Sequence, residues 1–203
     1  IPSGTVVVRD GKIVAVGAGV TPPAAAQLID AKGGVVTPGF VAANSHLGAV
    51  EISSLGNDVT VRTPDIGAAF DVQYALNPDS VLIPVARLGG VTSAIVTPVP
   101  RGGGGGGHAH DDSGETDTSG GPASENSPGL FAGRAAVIQL GRGQEPLVRP
   151  RVAMVSPFGR AGAIAAGGAR GAQVVLIKEV LADVRAYMRN RAAYDRAAYR
   201  DLA

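Results

Sequence analysis

Cysteine and tryptophan are both absent from this chain of 203 residues, and aromatic residues make up only 4% of it. Without cysteine the chain can form no disulfide, no thiolate metal site and no cysteine nucleophile. So few aromatic rings argue against the stacking platforms that bind single-stranded nucleic acid. The formal net charge of +1 supplies no strong field toward nucleic acid or an anionic membrane. We therefore expect no nucleic-acid partner.

Long apolar runs are missing as well. No run reaches the roughly 18 to 20 apolar residues that a membrane helix needs, so we expect no membrane span. Hydrophobic residues nevertheless make up 45% of the chain, enough for the core of one or two domains. The chain starts at Ile1 rather than at a methionine. Together with the lack of cysteine, this start favours a periplasmic or secreted protein over a cytoplasmic one.

Residues 1–37 have the pattern of a small β module. Asp10-Gly11 stands between two β-branched runs and predicts a hairpin, because this turn needs positive φ angles. Residues 27–30 and 35–37 are two further strand candidates. We therefore predict a β module over residues 1–37.

Residues 38–100 change to an α/β pattern. Residues 38–46 predict a buried strand that runs into a polar end, and residues 81–88 predict a helix that Gly89-Gly90 ends. Residues 91–96 form a continuous β-branched strand. A helix, a glycine stop and an apolar strand are the repeating half of a parallel α/β fold.

A low-complexity segment at about residues 101–129 interrupts this pattern. Six consecutive glycines precede a stretch rich in serine, glycine and acidic residues, which predicts a flexible insertion. Strand candidates follow at 135–140 and 152–155. Apolar residues at steps of three and four then predict a long helix over about 172–202, spanning roughly 45 Å. Tyr187 and Tyr194 lie on one face of this helix, as core or interface packing.

Three stretches of the chain resemble the N-terminal part of the amidohydrolases, nearest to the imidazolonepropionase-like and dihydroorotase-like members. The most specific stretch is discontinuous and covers residues 11–17, 28–33 and 36–41. Two weaker stretches cover residues 77–79 with 86–92 and residues 130–138, the last being similar to a barrel-edge segment of a bacterial subgroup.

The resemblance implies an α/β fold with a small N-terminal β-sandwich module at 1–37. Residues 38–203 would then hold the first βα units of a partial TIM-type barrel and the long C-terminal helix. A complete barrel of this type takes about 250 residues, so we expect a truncated barrel. Its expected partner is the remaining C-terminal part of the protein or another subunit.

The resemblance also implies a metal site at the end of the first barrel strand. There the family has the motif Pro-Gly-Phe-X-Asp-X-His-X-His, and imidazoles at i and i+2 of a strand point to the same side and can reach one metal. In this chain His46 matches the second histidine, whereas Asn44 and Ala42 replace the first histidine and the aspartate. An asparagine oxygen is a poor ligand for zinc compared with an imidazole. We therefore expect a degenerate site for zinc or another divalent metal. His46 is its identifiable ligand or a substrate contact, or else a structural histidine at the end of the strand.

The other two histidines, His108 and His110, lie in the glycine-rich segment. His-X-His followed by two aspartates has the ligand types of a metal site, but ordering such a loop costs entropy, so we expect adventitious metal affinity there. No Gly-Lys-Ser/Thr follows the glycine tract and no Gly-X-Ser-X-Gly elbow occurs, which argues against a phosphate loop and a serine hydrolase. Three carboxylates after His46 either line a cleft or are solvated: Glu51, Asp58 and Asp65.

Two functions follow from this reading. The resemblance implies a metal-dependent hydrolase of C–N (amide-type) bonds in a small-molecule substrate, which we expect to be inactive as this chain of 203 residues. The alternative is a non-catalytic amidohydrolase relative that acts as a binding or structural protein.

Overall fold

The computed structural model describes residues 1–51, 58–61, 66–100 and 129–196. The predicted flexible insertion lies, apart from Gly129, outside these residues. The chain divides into two compact units, Ile1–Pro38 and Gly39–Ala203. Within the described ranges, no helix is both long enough and apolar enough to cross a membrane.

The first unit is built on a two-stranded antiparallel hairpin. Asp10 and Gly11 have φ angles of 51° and 72°, so both residues adopt the left-handed turn that the sequence predicts. The strand candidates at 27–30 and 35–37 are wrong, because neither pairs with a neighbour among the described residues. Of the β-sandwich module expected over residues 1–37, the structure shows one hairpin. Its strands are β1 (Thr5–Arg9) and β2 (Lys12–Gly17).

The second unit contains a four-stranded sheet of order β3-β4-β5-β6. The first pair is parallel, as the α/β pattern predicts, but β5 runs antiparallel to both of its neighbours. The expectation of successive parallel strands therefore fails after β4. Between β5 and β6, the short connection permits only an antiparallel pair. The strands are β3 (Phe40–Ser45), β4 (Val91–Val96), β5 (Gly133–Gln139) and β6 (Leu147–Val155).

The C-terminal helical region is divided where the sequence predicts one helix over about 172–202. A helix of 20 residues ends at Arg189, because the φ of −149° and ψ of 75° of Asn190 are not helical. The Asn190 side-chain oxygen accepts a hydrogen bond from the Ala193 N–H at 3.0 Å and so caps the next short helix. The helices are α1 (Leu82–Leu88), α2 (Arg160–Ala165), α3 (Arg170–Arg189) and α4 (Arg191–Asp195), with a 3-10 helix at Val72–Ala75.

The core of the second unit lies around the two central strands of the sheet. The edge strand β3 is largely exposed, whereas two residues of β4 and four residues of β5 are buried. Gly39 stands directly before β3, where a Cβ atom would overlap the Thr92 side chain on β4. A glycine at this position therefore allows β3 and β4 to pack closely. The buried core residues are Val59, Val72, Ile83, Ala94, Val96, Ala136, Ile138 and Leu140.

Candidate functional site

The carboxyl ends of β3 and β4 lie at the same edge of the sheet because the two strands are parallel. Ser45 pairs with Val96, and the Thr97 N–H donates to the Ser45 carbonyl at 2.9 Å. This register places Asn44 and Thr97 next to each other, and His46 follows directly after Ser45. Ligands of parallel α/β proteins bind at this end of the strands. The edge is therefore the candidate functional site.

Asn44 and Thr97 are joined by a hydrogen bond across this edge. The Thr97 hydroxyl donates to Oδ1 of Asn44 at 2.5 Å. The oxygen that could serve as a weak metal ligand is therefore already a hydrogen-bond acceptor. Asn44 is exposed, and among the described residues its NH₂ group has no acceptor.

His46 lies just beyond the end of β3. Its carbonyl accepts hydrogen bonds from Ala49 and Val50 at 2.9 and 3.0 Å, which turns the chain away directly after the strand. The imidazole is half-buried, and no described side chain hydrogen-bonds to it. Because β3 ends at Ser45, strand geometry does not hold the imidazole beside Asn44 as a metal pair requires.

The described residues do not fit a divalent metal ion. Within the ranges that the structure covers, no group of three or more histidines and carboxylates could hold a metal. Ala42, at the position of the motif aspartate, pairs with Ala94 and offers no ligand atom. Glu51 accepts a hydrogen bond from the Asn77 amide at 3.3 Å, and Asp58 is exposed. The remaining candidates lie outside the described residues: Asp65, His108 and His110.

A second charged cluster, which the sequence did not reveal, surrounds Asp71. This residue is 3% exposed and caps the 3-10 helix, accepting from the Gln73 N–H at 3.3 Å and from its side-chain amide at 2.8 Å. The Arg151 Nε lies 2.7 Å from its carboxylate. Burial alone would raise the pKa of Asp71, but the hydrogen bonds from Arg151 and Gln73 outweigh it and hold this pKa below its ordinary value.

The position of the Asp71 cluster indicates a structural role. The backbone of Asp71 also forms an isolated parallel β-bridge with Arg134 on β5. The Arg134 N–H donates to the Phe70 carbonyl at 2.8 Å. The cluster therefore ties the 3-10 helix to β5 and β6. Aspartate is a favoured N-cap residue, but the pairing of Asp71 with Arg151, 80 residues away, has no local signature.

Tyr187 has a described side chain, and the sequence predicts that it packs in the core or at an interface. The Arg191 guanidinium lies over the Tyr187 ring, with its central carbon 5.4 Å from the ring centre. Tyr187 is half-buried, which agrees with packing between α3 and α4. The side chain of Tyr194 lies outside the described residues.

The fold is similar to part of a known amidohydrolase structure. The chain superposes on the crystal structure of an amidohydrolase from Thermotoga maritima MSB8 with a TM-score of 0.66, covering 98% of this chain and 47% of that one. The two sequences are 20% identical. At that level the likeness describes the fold alone.

A curated relative adds a likeness in sequence. A 5'-deoxyadenosine deaminase of Methanococcoides burtonii is 46% identical to this chain over 59 residues, which are 29% of this chain and 13% of the deaminase. No family model matches the sequence. The two comparisons together support a partial relationship to the amidohydrolase superfamily, in agreement with the resemblance in the sequence. This chain spans less than half of the length of either protein.

Proposed function

We propose that this chain is an amidohydrolase-like protein that does not hydrolyse C–N bonds by itself. The observation that supports this is the state of the metal-ligand position on β3. Asn44 stands there with its oxygen bonded to the Thr97 hydroxyl, and no described side chain joins His46 in a ligand set. As a 203-residue chain, the protein then acts as a binding or structural member of its superfamily.

The chemistry of hydrolysis supports the same proposal. A hydrolytic zinc site uses three protein ligands and keeps a fourth position for water, whose pKa the metal lowers. The candidate edge offers one imidazole, and its neighbours are a carboxamide and a hydroxyl. Neither of these groups is a strong zinc ligand or a base at neutral pH. What they offer instead is hydrogen bonding to a small polar molecule.

A second candidate function is a metal-dependent hydrolase of amide-type bonds in a small molecule. His46, at the carboxyl end of the first parallel strand, favours it. The missing ligands for zinc or another divalent metal would come from the remaining C-terminal part of the protein or from another subunit, which would complete the barrel. Exposed apolar side chains on α3 are compatible with such a contact: Leu181, Val184 and Met188 are 47%, 47% and 78% exposed.

Restoring the first histidine separates the two candidates. We expect Asn44→His to gain zinc affinity that the parent chain lacks, because it adds a second imidazole near this strand end. The affinity should be weak, because His46 lies beyond the end of β3 and strand geometry does not hold the two imidazoles side by side. The affinity should disappear when His46→Ala is added to Asn44→His. Zinc binding would be measured by isothermal titration calorimetry on protein purified without a metal-binding tag.

If the parent chain already binds about one zinc per chain, the proposal that it does not hydrolyse C–N bonds by itself is contradicted. In that case His46→Ala alone should remove the ion, and a screen of amide substrates would test the second candidate. If Asn44→His gains no zinc affinity, the turn after Ser45 keeps the imidazoles at positions 44 and 46 apart.

A further inference from the structure

The hydrogen bond between Thr97 and Asn44 gives the asparagine side chain a direction. A carboxamide has one acceptor atom and one donor group on opposite arms. The Thr97 hydroxyl occupies the oxygen arm at 2.5 Å, so the NH₂ arm points away from Thr97. Asn44 is exposed, so this donor group reaches solvent at the carboxyl edge of β3 and β4.

The residues around this donor leave it available. Ser45 is engaged locally, since its hydroxyl accepts the Leu47 N–H at 3.0 Å. The nearest carboxylate in sequence, Glu51, instead accepts from the Asn77 amide at 3.3 Å. Among the described residues, neither the Asn44 NH₂ group nor the His46 imidazole has a side-chain partner. The edge therefore presents hydrogen-bond donors where a metal site would present ligand atoms.

We propose that this edge binds an oxygen acceptor, a carbonyl or carboxylate group of a small molecule, through the NH₂ group of Asn44, with Thr97 as its positioning residue. The inference rests on the proposed absence of a metal. The donor would take up one lone pair of the ligand oxygen, and the fixed carboxamide would lose little rotamer entropy on binding. His46 lies two residues further along the chain, beyond the end of β3, so the proposal does not depend on its imidazole.

Acetate is a suitable probe, because it carries one carboxylate and little else. We expect it to shift the Asn44 side-chain NH₂ signals and the Thr97 backbone signal in ¹⁵N-correlated NMR spectra of the full chain. A ligand of four heavy atoms should bind with a dissociation constant on the order of tens of millimolar. Methylammonium, which has donors only, should not shift these signals at the same ionic strength.

Asn44→Asp is the matched variant. It keeps the shape of the side chain and an oxygen for the Thr97 hydroxyl, but it replaces the NH₂ donor by a second oxygen. The Thr97 signal should then no longer respond to acetate. Thr97→Val keeps the Asn44 NH₂ donor but removes the hydroxyl that holds the carboxamide in place. We expect it to fold as the parent chain does and to weaken acetate binding at least about threefold.

The chain also supplies an internal control. Asn190 is another exposed asparagine whose oxygen is engaged, by the Ala193 N–H. Equal acetate shifts at Asn190 and Asn44 would show nonspecific contact and overturn the proposal, and so would an unchanged response in Asn44→Asp. Metal analysis of the same sample keeps this test apart from the proposed function. About one metal per chain that is lost in His46→Ala would overturn the proposed function. A chain without metal at this edge whose Asn44 and Thr97 signals do not respond to acetate would overturn only this inference.

Discussion

Replacing Ile138 by alanine should lower the free energy of unfolding of the second unit by about 2 to 5 kcal/mol. Ile138 lies on the central strand β5 and is fully buried, in one cluster with Val72, Val96 and Leu140. Removing its side chain loses the transfer free energy of the deleted carbons and leaves a cavity that rigid neighbouring strands cannot fill. Urea denaturation followed by circular dichroism would measure the change.

Val148→Ala is the matched control for this substitution. Val148 lies on β6 and is 53% exposed, so its truncation should change the free energy of unfolding by no more than about 0.5 kcal/mol. Ile138→Val should fall between the two, at about 1 kcal/mol. Equal losses for Ile138→Ala and Val148→Ala would contradict the assignment of β5 to the centre of the core.

Asp71→Ala should be the second strongly destabilising change, by about 2 to 3 kcal/mol. The substitution removes the cap of the 3-10 helix and both side-chain hydrogen bonds to the carboxylate, from Arg151 and Gln73. The expected loss of unfolding free energy is modest because the Arg151 side chain is 53% exposed and can be solvated when its partner is removed. Asp71→Asn keeps one oxygen for the cap and should cost less.

The same carboxylate should make stability depend on pH. Hydrogen bonds from Arg151 and Gln73 outweigh the effect of burial and lower the pKa of Asp71 in the folded protein below its ordinary value. Its stabilising contribution is therefore complete above the unfolded pKa of about 3.9 and is lost as the pH falls through the lower, folded pKa. Urea midpoints between neutral and strongly acidic pH should fall more steeply for the parent chain than for Asp71→Asn. Parallel curves would contradict this role for Asp71.

Local patterns predicted the elements that local chemistry specifies. The helix predicted at 81–88 is α1 at Leu82–Leu88, and the strand predicted at 91–96 is β4 with the same bounds. Glycines end the helix, and β-branched residues fill the strand. Asp10-Gly11 likewise specified its hairpin, because few residue pairs tolerate two positive φ angles.

Features that depend on distant partners could not be predicted in this way. The strand candidate at 27–30 is apolar enough for a strand but has no ladder partner among the described residues. The antiparallel direction of β5 depends on its pairing with β4 and β6, which periodicity does not encode. In the α3 region the helix pattern continued through Asn190, where the asparagine side chain ends one helix and caps the next.

In the candidate site, too, local features could be predicted from the sequence and long-range contacts could not. Asn44 and His46 could be placed at a strand end from the sequence and its resemblance. Thr97 was missed, although it follows directly after β4, because its contact with Asn44 depends on the parallel register across 53 residues. In the function proposed above, that contact engages the Asn44 oxygen in a hydrogen bond instead of in metal binding.

Metal content of the full chain, measured by plasma mass spectrometry after tag-free purification, tests the central claim most directly. The account predicts zinc, iron and manganese each well below one per chain. Metal that remains in His46→Ala but is lost in His108→Ala/His110→Ala would place it in the glycine-rich segment and leave the claim intact. Close to one metal per chain, lost in His46→Ala, would contradict the account and identify a working metal site at the end of β3.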